Sequence, residues 1–175
     1  VIIDGVFNHC GSFNKWMDRE RIYEGSEGYA HGAYVSADSP YRNFFRWFSD
    51  GVYDGWWGHD TLPKLNYEGD SELENYILEI GKKWVSAPFN ADGWRLDVSP
   101  EVWPDFWRRY KNMMRSVNPE SLMIAECWDD SREWLTQGDM FDSTMHYVLS
   151  RAIWARFGKR EITLEQFDWL VNHAY

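Results

Sequence analysis

Gly93-Trp94-Arg95-Leu96-Asp97, taken with Met123-Ile124-Ala125-Glu126-Cys127-Trp128, decides the fold. Each is a short strand-like run that ends on an acid, and a helix-sized segment separates the two. Parallel strands joined by crossover helices present their carboxyl ends on one side of the sheet. Asp97 and Glu126 therefore arrive at the same end, flanked by an arginine and tryptophans. Paired acids beside aromatic surfaces are the chemistry of glycosidic bond cleavage.

The same alternation extends outward from this core. Val1-Ile2-Ile3 reads as a continuous apolar strand, suited to a parallel sheet covered on both faces. It runs into the abruptly polar Asp4-Gly5-Val6-Phe7-Asn8-His9. Residues 10–65 show no sustained period and are rich in Gly, Ser, Asp, Asn and aromatics. A loop that long inside a domain is functional or a small inserted subdomain. A helix is predicted over Ser71–Trp84, with Ser71 as its cap, Glu72 and Glu74 in the first turn, Leu73, Ile77 and Ile80 on one face, and Lys82-Lys83 at its end. After the strand Ala91–Asp97, Pro100 introduces a helix over about residues 101–117, and Pro119 ends it. Leu122–Ala125 and Phe141–Met145 are further strands, the second preceded by a turn at Arg132–Leu135. Helices follow near Tyr147–Phe157 and Thr163–His173.

Strands alternating with helices mean a parallel α/β architecture, either an open doubly wound sheet or a (β/α)₈ barrel. About four strand–helix units are present, half of what a barrel needs. In both folds ligands gather at the carboxyl ends of the strands. Asp4, Asn8, His9, Asp97 and Glu126 all fall there.

Composition narrows the function classes. The 175 residues include twelve Trp, ten Tyr and ten Phe, too many for all to be fully buried, so some serve as flat contact surfaces. A net charge of −10 argues against nucleic acid, whose phosphates need a positive field, and suits a neutral ligand such as a sugar. No apolar run reaches membrane-spanning length. The chain opens at Val1 inside a strand, which reads as an internal piece of a longer protein; compartment is left open. Cys10 and Cys127 read as buried free thiols without metal-ligand spacing, so no zinc site is assigned.

Arg95 shares a strand face with Asp97, and a neighbouring cation keeps a carboxylate ionised, which fits a nucleophile. Glu126 has apolar Ile124 on its own face, and a poorly solvated acid holds its proton, which fits a general acid. Each also admits a structural role, Asp97 in an ion pair that fixes a strand end and Glu126 as a rim or helix-capping carboxylate. His9 can donate to a sugar hydroxyl, or be a satisfied interior histidine, with Asn8 turned into the rim. Asp4 is expected to hold Arg95. Trp56-Trp57 and Trp128 can stack on sugar faces or pack.

Asp4-Gly5-Val6-Phe7-Asn8-His9, Gly93-Trp94-Arg95-Leu96-Asp97 and Glu126-Cys127-Trp128 resemble three of the four signature regions of the α-amylase family, glycoside hydrolase family 13. Leu62-Pro63-Lys64-Leu65-Asn66 and the Trp134–Asp142 stretch resemble its neopullulanase, cyclomaltodextrinase and maltogenic amylase branch. The resemblance covers essentially the whole chain. It implies the central part of a (β/α)₈ barrel, about strands three to six, with residues 10–65 as the domain inserted after strand three. It further implies a retaining mechanism on α-glucans, with Asp97 as nucleophile and Glu126 as acid/base. By the same resemblance Arg95, His9, Asn8, Asp4, Trp128 and Glu101 are substrate-site residues, no cofactor is required, and the full-length parent can be a homodimer. The acid-rich turns leave room for a Ca²⁺ ion.

Pro100-Glu101 stand where many starch-acting members carry Lys-His; Glu101 suits the branch named, and Pro100 departs from it. The family's third carboxylate, in a His-Asp pair after the seventh strand, falls beyond this chain. A hydrolase is the leading expectation, a glycosyl-transferring member the second, and a non-catalytic glucan-binding relative the third.

Overall fold

The computed structural model describes residues 1–68 and 71–173. In chain order it runs β1 (Ile2–Gly5), a hairpin of β2 (Trp47–Ser49) and β3 (Val52–Tyr53), α1 (Ser71–Val85), β4 (Gly93–Leu96) and α2 (Pro104–Val117). Then follow β5 (Leu122–Ala125), α3 (Arg132–Leu135), β6 (Ser143–Thr144), α4 (Tyr147–Ile153) and α5 (Leu164–His173). One sheet is parallel and ordered β1-β4-β5-β6. Strands therefore add in sequence order to one edge, without the reversal that marks a doubly wound sheet. That progression is an arc of a (β/α)₈ barrel.

The register sets the site. Asp4 pairs with Arg95 and Gly5 with Leu96 on one side of β4; Arg95 pairs with Ile124 and Leu96 with Ala125 on the other. Glycine at position 93 is required by close strand approach, since a Cβ there would run into the Leu122 carbonyl. On α1, Leu73 and Ile77 are buried while Lys82 and Lys83 close the last turn. The cap expected of Ser71 lies outside the described side chains. On α2, Phe106, Trp107, Tyr110 and Met114 turn into the core.

Two boundaries differ from expectation. α2 starts at Pro104 because Trp103 is extended (φ −62°, ψ 133°), the conformation a following proline imposes; a separate 3₁₀ turn occupies Ser99–Glu101. β6 is only Ser143–Thr144, because Asp142 spends its side chain on the sheet: its Oδ2 accepts from the Met123 amide at 2.9 Å. Among the described residues β1 pairs with β4 alone, and Val1 and Ile2 are 84% and 40% exposed.

Residues 10–65 do not stand apart from the barrel arc. Trp16, Met17, Phe44 and Phe45 belong to the same apolar cluster as Phe7, Leu96, Phe106 and Trp107. The two ends of the insertion are tied together: the Cys10 amide donates to Pro63 O at 3.1 Å and the Leu65 amide to Asn8 O at 2.9 Å. This closure carries Lys64 next to His9.

Candidate active site

Backbone ladders pin both acids one residue past their strands. The Asp97 amide donates to Gly5 O and the Glu126 amide to Leu96 O, each at 2.9 Å. Arg95 then gathers the carboxylates. Its Nη1 donates to Asp4 Oδ1 and Asp97 Oδ1, both at 2.7 Å, and its Nη2 lies 2.8 Å from Glu126 Oε1. The guanidinium fork suits such bridging because its donors diverge in one plane. Asp4 is exposed, Asp97 half-buried and Glu126 buried, so the site opens on the Asp4 side and deepens toward Glu126.

Two residues that sequence reasoning missed hold Glu126. The Tyr147 hydroxyl, at the start of α4, donates to Glu126 Oε1 at 3.0 Å. The Val98 amide donates to Glu126 Oε2 at 3.1 Å. Val98 reaches this position in the left-handed region (φ 45°, ψ 42°). A β-branched residue there is strained by roughly 1–3 kcal/mol, a cost tolerated at sites that need an unusual backbone direction. Here the turn aims the amide that follows Asp97 at Glu126.

The remaining candidates divide into wall and support. His9 is half-buried and stacks on Trp56, ring centroids 5.3 Å apart. Its Nδ1 lies 3.3 Å from the Asn8 amide nitrogen; with Nδ1 accepting, Nε2 carries the hydrogen of the neutral ring. Burial lowers the His9 pKa, opposed by the charges of Asp97 and Glu101. Asn8 is 1% exposed. It was placed among the substrate-site residues as a support of His9, and its burial fits support rather than direct contact with a ligand. Trp128 meets Trp57 edge-on at 5.3 Å. Glu101 is shared by Trp57, whose Nε1 donates to Oε1 at 2.9 Å, and by Lys64, whose Nζ donates to Oε2 at 3.1 Å. Trp57, Glu101, Glu126 and Trp128 line a cleft of about 320 Å³.

The proton preferences reverse the expected ones. Burial raises the Asp97 pKa, against its contacts with Arg95, and the neighbouring Glu126 carboxyl adds to the rise both by charge and by direct hydrogen bonding. Burial also opposes ionisation of Glu126, but bonds from Trp128, the Val98 amide and Tyr147, with the Arg95 charge, outweigh it and lower its pKa. The expectation that Glu126 holds its proton through poor solvation fails for the open cleft. Apolar neighbours along a strand matter less here than donors brought from Val98, Trp128 and Tyr147. Two acids this close titrate as a pair.

Among the described residues, no group of three or more His, Cys, Asp or Glu is arranged to hold a metal ion. The buried Asp18 carboxylate does not fit a Ca²⁺ ligand. Its oxygens are already taken by the Ile22 amide at 2.7 Å and by the Tyr29 hydroxyl at 2.5 Å. Cys127 is buried and Cys10 half-buried, and both are free thiols. Among the described residues, no helix is long and apolar enough to cross a membrane.

A nucleophilic carboxylate, a second acid within direct reach of it, a cation across both and an aromatic wall are the parts needed to displace a leaving group at an acetal carbon. The model of the α-amylase catalytic domain matches residues 1–174. A cyclomaltodextrinase of Thermoanaerobacter pseudethanolicus is 30% identical over 186 residues, covering 98% of this chain and 29% of that protein. The type III pullulan hydrolase from Thermococcus kodakarensis superposes with a TM-score of 0.80 at 30% identity, over 100% of this chain and 29% of its own. The cyclic α-maltosyl-(1→6)-maltose hydrolase from Arthrobacter globiformis, in complex with cyclic α-maltosyl-(1→6)-maltose, gives 0.83 at 26% identity, over 99% of this chain and 37% of its own. The chain thus spans less than two-fifths of the length of each of these proteins.

Proposed function

Because this chain belongs to the α-amylase family, matching its catalytic domain over residues 1–174, we propose that it carries the cleavage centre of a hydrolase that splits α-glucosidic bonds with retention. The relatives named as cyclomaltodextrinase and pullulan hydrolase support α-glucans as the substrate class. One observation carries the mechanism: Asp97 and Glu126 share the Arg95 guanidinium, at 2.7 Å and 2.8 Å. Retaining glycosidases keep their two acids close, about 5–5.5 Å apart, whereas inverting ones leave room for water between them.

In this reading Asp97 attacks the anomeric carbon while Glu126 protonates the departing glycosidic oxygen. A covalent glucosyl–Asp97 ester forms, and the leaving sugar takes the Glu126 proton. Glu126, now ionised, removes a proton from water, which attacks the same carbon and frees Asp97. The proton must sit on Glu126 at the first step. A sugar placed between the acids removes the part of the Asp97 rise that comes from Glu126 and leaves Asp97 with Arg95. The same ring excludes water from Glu126 and raises it. Neutral His9 donates from Nε2 to the ring at the cleavage point, Asp4 steadies Arg95, and Trp128 with Trp57 supports the leaving-group side.

The aromatic wall at Trp57 and Trp128 also favours a second reading, a glycosyl-transferring enzyme, because it can seat an acceptor sugar in place of water. Longer oligosaccharides accumulating at high maltose select transfer, and glucose with maltose alone select hydrolysis. For the main reading, Asp97→Asn and Glu126→Gln are assayed in the whole protein on cyclodextrin, pullulan and starch. Each lowers turnover by at least about 100-fold; undiminished turnover in either sinks the assignment.

A further inference from the structure

On the other side of Glu101 lies a recess that the cleavage chemistry does not use. It encloses about 240 Å³ and is lined by Arg46, Asp54, Lys64, Asn66, Glu68 and Trp103, together with Pro100 and Glu101. Sites for drug-sized ligands run about 300–1,000 Å³, so this one matches a single ring. Pro100 and Glu101 also line the cleavage cleft. Glu101 is the shared wall, with one oxygen held by Trp57 from the cleft and the other by Lys64 from the recess.

Three features point to a ligand rather than to packing. Trp103 is 55% exposed and makes no ring contact among the described residues. Its backbone is fixed in the extended form by Pro104, so the indole is presented without a large ordering cost. The side chains of Arg46 and Asp54 make no hydrogen bond or ion pair among the described residues. The lining interleaves Arg46 and Lys64 with Asp54, Glu68 and Glu101. Such a mixture favours no net charge of one sign and offers both donors and acceptors to hydroxyl groups.

We propose that this recess is a second glucan-binding subsite, which seats one glucosyl ring against Trp103 on the far side of the Glu101 wall from the cleaved bond. It rests on the glucan reading above. Its role is to hold a neighbouring segment of a long chain, so it selects long or branched glucans over maltose-sized ones.

The test uses the whole protein. Maltoheptaose and maltose are titrated calorimetrically into Asp97→Asn and into Asp97→Asn with Trp103→Ala. Turnover of maltoheptaose and of 4-nitrophenyl α-maltoside is measured with Trp103→Ala and Trp103→Phe alone, and unfolding curves confirm that each variant is folded. An aromatic contact of this kind corresponds to an affinity loss of roughly five- to tenfold. That loss is expected for maltoheptaose with Trp103→Ala, with less than a twofold change for maltose, a raised KM on the long substrate only, and recovery in Trp103→Phe. Unchanged maltoheptaose affinity, or equal losses on long and short ligands, overturns the subsite. Absence of turnover in the unsubstituted protein would instead strike the hydrolase reading, and the binding titration would still decide the subsite.

Discussion

Replacing Tyr147 by phenylalanine removes one oxygen from the site and leaves the ring beside Trp128, whose centroid lies 6.5 Å away. The lost group is the hydroxyl that donates to Glu126 Oε1 at 3.0 Å. That bond favours the ionised acid, so its removal favours the protonated one. A hydrogen bond to a charged group contributes about 1.5–3 kcal/mol. Tyr147 is half-exposed, and water replaces part of the loss, leaving about 1 kcal/mol. At 1.36 kcal/mol per unit, this moves a titration by about 0.7 of a pH unit. Glu126 donates its proton in the first step, so activity falls at high pH as that proton is lost. In the substrate complex, where Glu126 holds the proton, the alkaline limb of kcat therefore moves upward by about 0.5–1 pH unit in Tyr147→Phe. The assay is kcat on cyclodextrin from about pH 4 to 9, beside unfolding curves for both proteins. A purely structural tyrosine would lower rates without moving the limb. A limb that stays in place, or moves to lower pH, refutes the reasoning.

Arg95→Lys keeps the charge but cannot span Asp4, Asp97 and Glu126 from one planar group, so kcat/KM falls by at least about 100-fold. A fall of less than tenfold in steady-state assays would count against the bridging role. Val98→Gly keeps the amide on Glu126 and releases roughly 1–3 kcal/mol of left-handed strain, against about 2 kcal/mol of lost burial. Its thermal midpoint stays within a few degrees and kcat within about threefold; a much larger loss would mean the valine side chain itself matters. Asp142→Asn removes the negative charge that Lys111 meets at 2.9 Å while keeping an acceptor oxygen, and costs about 1–2 kcal/mol in urea unfolding. Burial opposes ionisation of Asp142, yet Lys111, the Met123 amide and Arg115 hold its pKa below the usual range. Its stabilisation is thus complete above the unfolded carboxylate value of about 3.9 and is lost as pH falls through the lower folded value. Unfolding midpoints of the asparagine variant should depend less on pH in the acid range; an unchanged slope would remove Asp142 from that role.

The strand-end acids were legible because parallel βα units force them to one side of a sheet, and the register places Asp97 and Glu126 on adjacent strands. Helices α1 and α2 were legible from the spacing of Leu73 and Ile77 and of Phe106, Trp107 and Tyr110. The hairpin Trp47–Tyr53 was not, because strands of two or three residues are too short to show a period. Val98 was hidden because its left-handed backbone contradicts the preference of a β-branched residue. Tyr147 lies one strand beyond Glu126, and no local spacing ties the two. The order of the two carboxyl pKa values was misjudged for a related reason. Arg95 serves both acids across the strands, and the donors that hold Glu126 ionised come from Val98, Trp128 and Tyr147. The family resemblance already implied that Asn8 supports His9, and packing adds that Asn8 does so from a buried position.

The central claim is that Asp97 forms the covalent bond and Glu126 moves the proton. Its most direct test is to mix the whole protein bearing Glu126→Gln with α-glucosyl fluoride, whose leaving group needs no acid, quench rapidly and map the adduct by peptide mass spectrometry. The account predicts a glucosyl increment on the peptide holding Asp97, at that residue. An increment on the Glu126→Gln peptide, or no adduct together with release of the β-anomer, contradicts it.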